Sequence, residues 1–266
     1  LAVVTVAGGT PTWIDTDEYA PIQFLIVSVD WTPDSRQVVY QVQDREQTWL
    51  DLKLGNAGTG KSSTLFRETT AAWVNVNGGP VWLSDGSFLW LSERSGWKHI
   101  YHYAADGALV RQVTDGPWEV RTLHGAAADA AAEDGGWIYF SGTERSHIGS
   151  DVYRVKLDGS RLMHLSAAAG THQANFNPSF THYIDTWSDV TTPPQVRLHR
   201  ADGGELRVID DNPVTVLSEY RLSQPAFLQV HTRDGFVMEA MMIKPPDFDP
   251  SRRYPVYQHT YGGPHL

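Results

Sequence analysis

Apolar residues recur with period two in short runs, and a turn closes each run. The clearest unit is Leu83 to Tyr103. Asp85-Gly86 opens it, Phe88-Leu89-Trp90-Leu91 forms an apolar run, and Glu93-Arg94-Ser95-Gly96 breaks the pattern. A second alternating run ends at Tyr103, and Asp106-Gly107 turns the chain into Ala108 to Thr114. Asp-Gly between alternating runs is hairpin chemistry, because glycine accepts the positive φ that such turns need. The unit therefore predicts three antiparallel strands. One such sheet cannot cover its own faces, so it predicts neighbours of the same kind.

Those neighbours are present. Phe24 to Asp30, Gln37 to Val42 and Thr48 to Leu54 repeat the order of strand, Asp-containing turn, strand, acid-Arg break and strand. A third copy runs through Glu133-Asp134-Gly135, Trp137 to Phe140 and Asp151 to Val155. A weaker fourth follows at Asn177-Pro178, Phe180 to Trp187, Gln195 to Arg200 and Glu205 to Ile209. The turns Asp34, Asp85 and Asp134 stand 51 and 49 residues apart. A period of this size with four strands per repeat predicts β-propeller blades and an all-β fold. Leu1 to Val6 reads as an isolated strand, and the Ala-rich run Gly125 to Ala132 as a linker. Asn212 to Arg221 reads as a short helix with Asn212 as cap and Pro213 in its first position. Beyond Gln224 the pattern changes to a longer hairpin, Phe227 to Thr232 with Phe236 to Lys244, and then a strand over Tyr254 to His259.

Composition narrows the functional classes. The 266 residues carry 31 acids against 21 bases, a net charge of −10, which disfavours a nucleic-acid backbone as partner. Cysteine is absent, so disulfides and thiolate metal sites are excluded. No apolar run reaches membrane-spanning length. Eleven histidines are dispersed; His99 and His102, three apart on a strand, point to opposite faces, so packing is the preferred reading over metal binding.

Three motifs require a choice. Gly55-Asn56-Ala57-Gly58-Thr59-Gly60-Lys61-Ser62 satisfies the Walker A pattern. A phosphate loop needs a buried parallel strand before it and a helix after it, and neither is predicted, so a hairpin tip is the better reading. The pairs Asp44-Arg45, Glu93-Arg94 and Glu144-Arg145 recur at matching places. A salt bridge locking each hairpin is favoured over substrate contact, because a repeated device is architectural. No Gly-x-Ser-x-Gly segment occurs. Tyr261-Gly262-Gly263-Pro264 follows an apolar run, either as a tight turn or as the kind of loop that lines an oxyanion hole.

Four stretches carry a family resemblance: Trp31-Thr32-Pro33-Asp34-Ser35 through Leu52, Leu91-Ser92-Glu93-Arg94-Ser95-Gly96-Trp97 through Tyr101, Thr114-Asp115-Gly116-Pro117-Trp118-Glu119-Val120, and Lys244-Pro245-Pro246 through Pro264. With these the chain resembles the prolyl oligopeptidase family, in its bacterial dipeptidyl peptidase IV branch. The resemblance implies about four blades of an eight-bladed propeller over residues 1–221. The first strands of an α/β-hydrolase domain would follow over residues 222–266. It implies a serine exopeptidase that releases X-Pro or X-Ala dipeptides from peptides with a free N-terminus, without cofactor or metal. Tyr261 takes the place of the oxyanion-hole tyrosine. The family's Ser, Asp and His are expected beyond Leu266 and its amine-binding Glu pair before Leu1, so this stretch alone is expected to be inactive. Asn75-Val76-Asn77 stand about where relatives carry a Phe-Arg pair of the pocket. The family further implies a homodimer and a periplasmic or cell-envelope location, with the cytoplasm as the alternative. A non-catalytic propeller that binds peptide or protein is the competing reading of function.

Overall fold

The computed structural model describes residues 1–127 and 136–260. Contacts divide the chain into two compact units, Leu1–Asp189 with Pro194–Asp211, and Val190–Pro193 with Asn212–Leu266.

The first unit opens with β1 (Ala2–Val3) and β2 (Thr12–Trp13), which pair antiparallel with Ala2 opposite Trp13. The isolated strand expected over Leu1 to Val6 thus has a partner. It went unseen because a two-residue strand after Pro11 shows no alternation. Four antiparallel sheets follow, each of four strands in sequence order. The first blade holds β3 (Phe24–Trp31), β4 (Gln37–Asp44), β5 (Trp49–Asn56) and β6 (Ser62–Thr69). The second holds β7 (Val81–Trp82), β8 (Phe88–Ser92), β9 (His99–Tyr103) and β10 (Leu109–Gln112). The third holds β11 (Val120–Ala127), β12 (Trp137–Gly142), β13 (Asp151–Lys156) and β14 (Met163–His164). The fourth holds β15 (Thr171–Phe176), β16 (His182–Ser188), β17 (Gln195–Arg200) and β18 (Glu205–Asp210). Gly125 to Ala127, expected in a linker, continue β11, where Leu123 and Ala126 pack on the core between the second and third blades. The rest of that linker, and the Asp134-Gly135 turn, lie outside the described residues.

Period-two alternation now has a physical meaning, because successive side chains of a strand serve different cores. Phe88 and Trp90 of β8, with Tyr101 and Tyr103 of β9, join Val39, Leu50 and Leu52 of the first blade. Leu89 and Ile100, one residue along, join Ile138, Phe140, Tyr153 and Val155 of the third blade. Tyr139 and Val152 face the other way and pack with Tyr183 of the fourth. Each inner strand of the first three blades is therefore covered on both faces, whereas β16 of the fourth buries one face and leaves Ile184 on the other 43% exposed; the cores lie between sheets rather than inside one.

A second repeated device sets the blades against each other. The turn between the third and fourth strands of a blade rests on the main chain of the preceding unit. In the second blade the Asp106 carboxylate accepts the Ala108 N–H at 3.0 Å, and Gly107 has φ +86°. A Cβ at Gly107 would lie 2.5 Å from the Leu65 carbonyl oxygen of β6, so only glycine fits. Asp158-Gly159 and Asp202-Gly203 repeat the arrangement against Val113 and Leu165. In the first blade this role falls to the Walker-like loop. Asn56 accepts the N–H groups of Gly58 and Thr59 at 3.0 and 2.9 Å, and a Cβ at Gly60 would meet the Trp13 carbonyl oxygen at 2.1 Å. The loop is the hairpin tip between β5 and β6, and its glycine-rich sequence follows from close backbone approach.

In the second unit, β19 (Ala226–His231) and β20 (Val237–Met242) form the expected hairpin. Two other expectations do not hold. A 3-10 helix spans only Thr215–Glu219, and Asn212 sits at φ +43°, a left-handed conformation that cannot serve as an N-cap. Tyr254 to His259 form no strand, and Val256 and Tyr257 are each 90% exposed. Alternation there has no partner strand to pair with among the described residues.

Candidate functional site

The acid-Arg breaks lie at one end of the blades, between the second and third strands, and they are not the ion pairs expected. In the first break Asp44 accepts hydrogen bonds from the N–H groups of Thr48 and Trp49 and from the Thr48 hydroxyl, at 2.6 to 3.1 Å. Its carboxyl is held below the usual range: burial opposes this, and the three donors that stabilise the anion prevail. Arg45 is exposed and takes no part. In the second break the two neighbours part company. Arg94 reaches back to Glu68 on β6 of the preceding blade and to the Tyr103 hydroxyl, while its Nε donates to Ser92 at 2.9 Å. Its guanidinium also lies 4.6 Å over the Tyr101 ring. Burial disfavours its charge, but Glu68 and Tyr103 together outweigh that and hold its pKa above the ordinary value. In the third break the Arg145 N–H donates to the Tyr153 hydroxyl at 3.1 Å. The breaks hold turns and link neighbouring blades, though not through the acid-Arg salt bridges expected. The adjacent acid and Arg do not pair because a β turn points consecutive side chains apart.

The second break opens a cavity of about 220 Å³ between the first and second blades, lined by Arg67, Glu68, Asn75, Asn77, Glu93 and Arg94 among others. Residues 70–78, which connect the two blades, form one wall. Gln43 of β4 donates to the Val74 carbonyl at 2.7 Å, and Gln41 donates to the Gly78 carbonyl at 2.9 Å. These two buried amides fix the wall from the first blade. The second blade fixes it through Glu93, which accepts from the Asn75 amide at 2.8 Å and the Asn77 amide at 3.3 Å. Asn75 and Asn77 thus line a cavity, whereas Val76 between them points out and is 42% exposed. Both guanidiniums are engaged. Arg67 forks onto Asp51 at 2.6 and 2.7 Å, and Arg94 donates to Glu68 through a single nitrogen. Glu68 was not singled out in the sequence. Its partner stands 26 residues away on another blade, beyond any local pattern.

The buried histidines serve packing, while His182, His231 and His259 are exposed. His99 bonds the Thr114 hydroxyl at 3.1 Å and the Gly116 carbonyl at 3.0 Å, and His102 bonds the Ser87 hydroxyl at 2.9 Å. Burial pushes both below the usual histidine pKa. His172 and Asp185 form a buried pair at 2.6 Å. The other ring nitrogen of His172 bonds the Ala168 carbonyl at 2.9 Å, so it has no serine to activate. Among the described residues no group of three or more His, Asp or Glu is arranged to hold a metal ion, and no helix is long and apolar enough to cross a membrane. Tyr261 lies outside the described residues.

A sheet array of this kind, with its regular 3–4 turns, has a counterpart among known families. The family model for the dipeptidyl peptidase IV (DPP IV) N-terminal region matches residues 1–194. The chain belongs to this family. Dipeptidyl peptidase 4 of Trichophyton rubrum is 27% identical over 284 residues, covering 98% of this chain and 35% of the relative. The crystal structure of Porphyromonas gingivalis dipeptidyl peptidase 4 superposes with a TM-score of 0.83 at 28% identity, over 96% of this chain and 36% of that one. A putative dipeptidyl aminopeptidase IV from Bacteroides ovatus shares the fold, with a TM-score of 0.78 at 20% identity. The chain thus spans about a third of the length of the relatives it matches. The four sheets of the first unit are blades of the propeller that this family shares, and the fold is all-β.

Proposed function

We propose that this chain is the propeller portion, with the first strands of the catalytic domain, of a serine-type dipeptidyl peptidase. The enzyme removes X-Pro or X-Ala dipeptides from peptides with a free N-terminus. The observation that carries this reading is alignment with dipeptidyl peptidase 4 over 98% of the chain, far beyond the blades alone. Residues 1–221 act as propeller and residues 222–266 begin the hydrolase domain. Tyr261, after the Pro245-Pro246 loop, supplies the oxyanion-hole hydroxyl. It donates a hydrogen bond to the oxygen that gains negative charge as the nucleophile adds to the scissile carbonyl. The blades wall the chamber through which the peptide reaches the reacting groups. The enzyme works as a homodimer in the cell envelope. Light scattering of the purified enzyme reads the former and cell fractionation the latter.

The test is product analysis. Full-length protein is incubated with a peptide bearing proline at its second position, and with the same peptide acetylated at its N-terminus. Release of the dipeptide from the free peptide only is the expected result. Release from neither, or internal cleavage of both, overturns the reading.

A further inference from the structure

Counting the buried Asp51 that stands behind its lining, the cavity between the first and second blades has one carboxylate more than it has guanidiniums. Two guanidiniums line it, and each is matched by a carboxylate: Arg67 by Asp51, and Arg94 by Glu68. Glu93 remains. It accepts two side-chain amides, from Asn75 and Asn77, and among the described residues no cation pairs with it. Amides satisfy lone pairs without supplying charge, and a carboxylate has about four acceptor positions, of which these use two. An anion is disfavoured here, because both cations already sit on carboxylates.

The size of the space decides what could enter. About 220 Å³ falls below the ~300–1,000 Å³ typical of pockets for drug-sized ligands. It suits a single side chain, not a folded peptide. The rim suits the stem of a long one. Trp73 is 48% exposed and is not itself a lining residue, but its indole N–H donates to the side chain of the lining Asn75 at 3.2 Å, which holds an apolar ring next to that residue. A lysine or arginine stem can lie along such a surface while its head reaches a carboxylate. The wall is also built in advance: Gln41, Gln43 and Glu93 hold residues 74–78 from two blades. Little ordering would accompany binding.

We propose that this cavity takes a basic side chain, lysine or arginine, of a bound peptide, with Glu93 as its counter-charge and Trp73 as the support for its stem. This rests on the peptidase reading above, and it adds a determinant of which peptides are preferred. Glu93 is a specificity residue, remote from bond cleavage.

The test uses the full-length enzyme and a series of peptides with proline at the second position. Each carries one lysine at a successive position beyond it, paired with a norleucine twin of equal stem length. At one position the lysine peptide should show kcat/KM about tenfold or more above its twin, mainly through KM. Glu93→Gln should bring that ratio close to one, and Glu93→Asp should restore part of it. A thermal melt of each variant reports folding. If Glu93→Gln does not fold, the parent enzyme at rising salt decides: the lysine preference should shrink as screening grows. No lysine preference at any position, or one that survives Glu93→Gln, overturns the proposal. If the protein cleaves none of these peptides, the peptidase reading fails separately, and calorimetric binding of the same pairs still reads the lysine preference.

Discussion

In the blade strand β12 every residue from Ile138 to Gly142 is buried, whereas in the hairpin strand β19 every residue from Phe227 to His231 is exposed. Both strands are rich in apolar and β-forming residues, and both pair antiparallel over their whole length. The difference lies in what stands on either side. Phe140 stacks on Tyr153 at 5.3 Å and on Trp118 at 5.9 Å, and Tyr139 on the opposite face stacks on Phe180 at 5.4 Å. Phe227, in a two-stranded sheet, is 52% exposed. Strand pairing comes from local pattern, and burial comes from neighbouring sheets. A blade is stable as a member of a series.

Substitutions should separate the two regions sharply. Phe140→Ala should cost about 3–5 kcal/mol through lost burial and the cavity left behind, whereas Phe227→Ala should cost about 0.5 kcal/mol or less. Chemical denaturation of both variants checks this, and equal losses would remove the distinction. Gly107→Ala and Gly235→Ala come next. Both glycines have positive φ, +86° and +88°, so both variants carry the left-handed penalty of about 1–2 kcal/mol. Only Gly107 adds a collision, with the Leu65 main chain, while nothing lies within 4 Å of a Cβ at Gly235. Gly107→Ala should therefore cost about 1–3 kcal/mol more. Matched melting curves would show it, and similar shifts would contradict the docking of that turn on the preceding blade.

The smallest effects are pH-dependent. Burial pushes His124 of β11 down to about 4. The unfolded chain takes up a proton near pH 6.5 and the folded chain does not, so stability present above that pH is lost as pH falls toward 4. By pH 5 the loss should reach up to about 2 kcal/mol, and His124→Gln should flatten that limb of the stability curve. His172 behaves in the opposite sense. Burial opposes its charge, but Asp185 outweighs burial and raises its pKa. Its contribution is fully present below about pH 6.5 and fades as pH rises through the folded-state value. His172→Gln should remove that alkaline decline. An unaltered pH profile in both variants would show that neither ring titrates with folding.

Much of the blade array is legible in the residues themselves. Phe88-Leu89-Trp90-Leu91 announces a strand buried on both faces, and Asp106-Gly107 announces the turn that follows the next strand. The pairing of Ala2 with Trp13 is not legible, since two residues carry no period. Nor is the link from Arg94 to Glu68, because local pattern cannot tell which blade a side chain crosses to. Tyr254 to His259 mislead in the other direction: alternation proposes a strand, and only a partner makes one. At the cavity, sequence alignment of motifs gives Asn75 and Asn77 a place near the pocket, but adjacency groups their common partner Glu93 with Arg94. The fold places that carboxylate and that guanidinium in separate networks. The repeated Gly60, Gly107, Gly159 and Gly203 show why the first of these turns carries a Walker-like pattern although it is the hairpin tip the sequence predicts: a phosphate loop and a docked turn both need glycine where backbone comes close.

Tyr261 and the reaction proposed for the whole enzyme are open to the most direct test. In the full-length protein, hydrolysis of a Gly-Pro chromogenic reporter should fall by about 10²–10³ in kcat when Tyr261→Phe removes the hydroxyl, with KM little changed. Absence of hydrolysis by the parent, or a kcat unaltered in Tyr261→Phe, would contradict it.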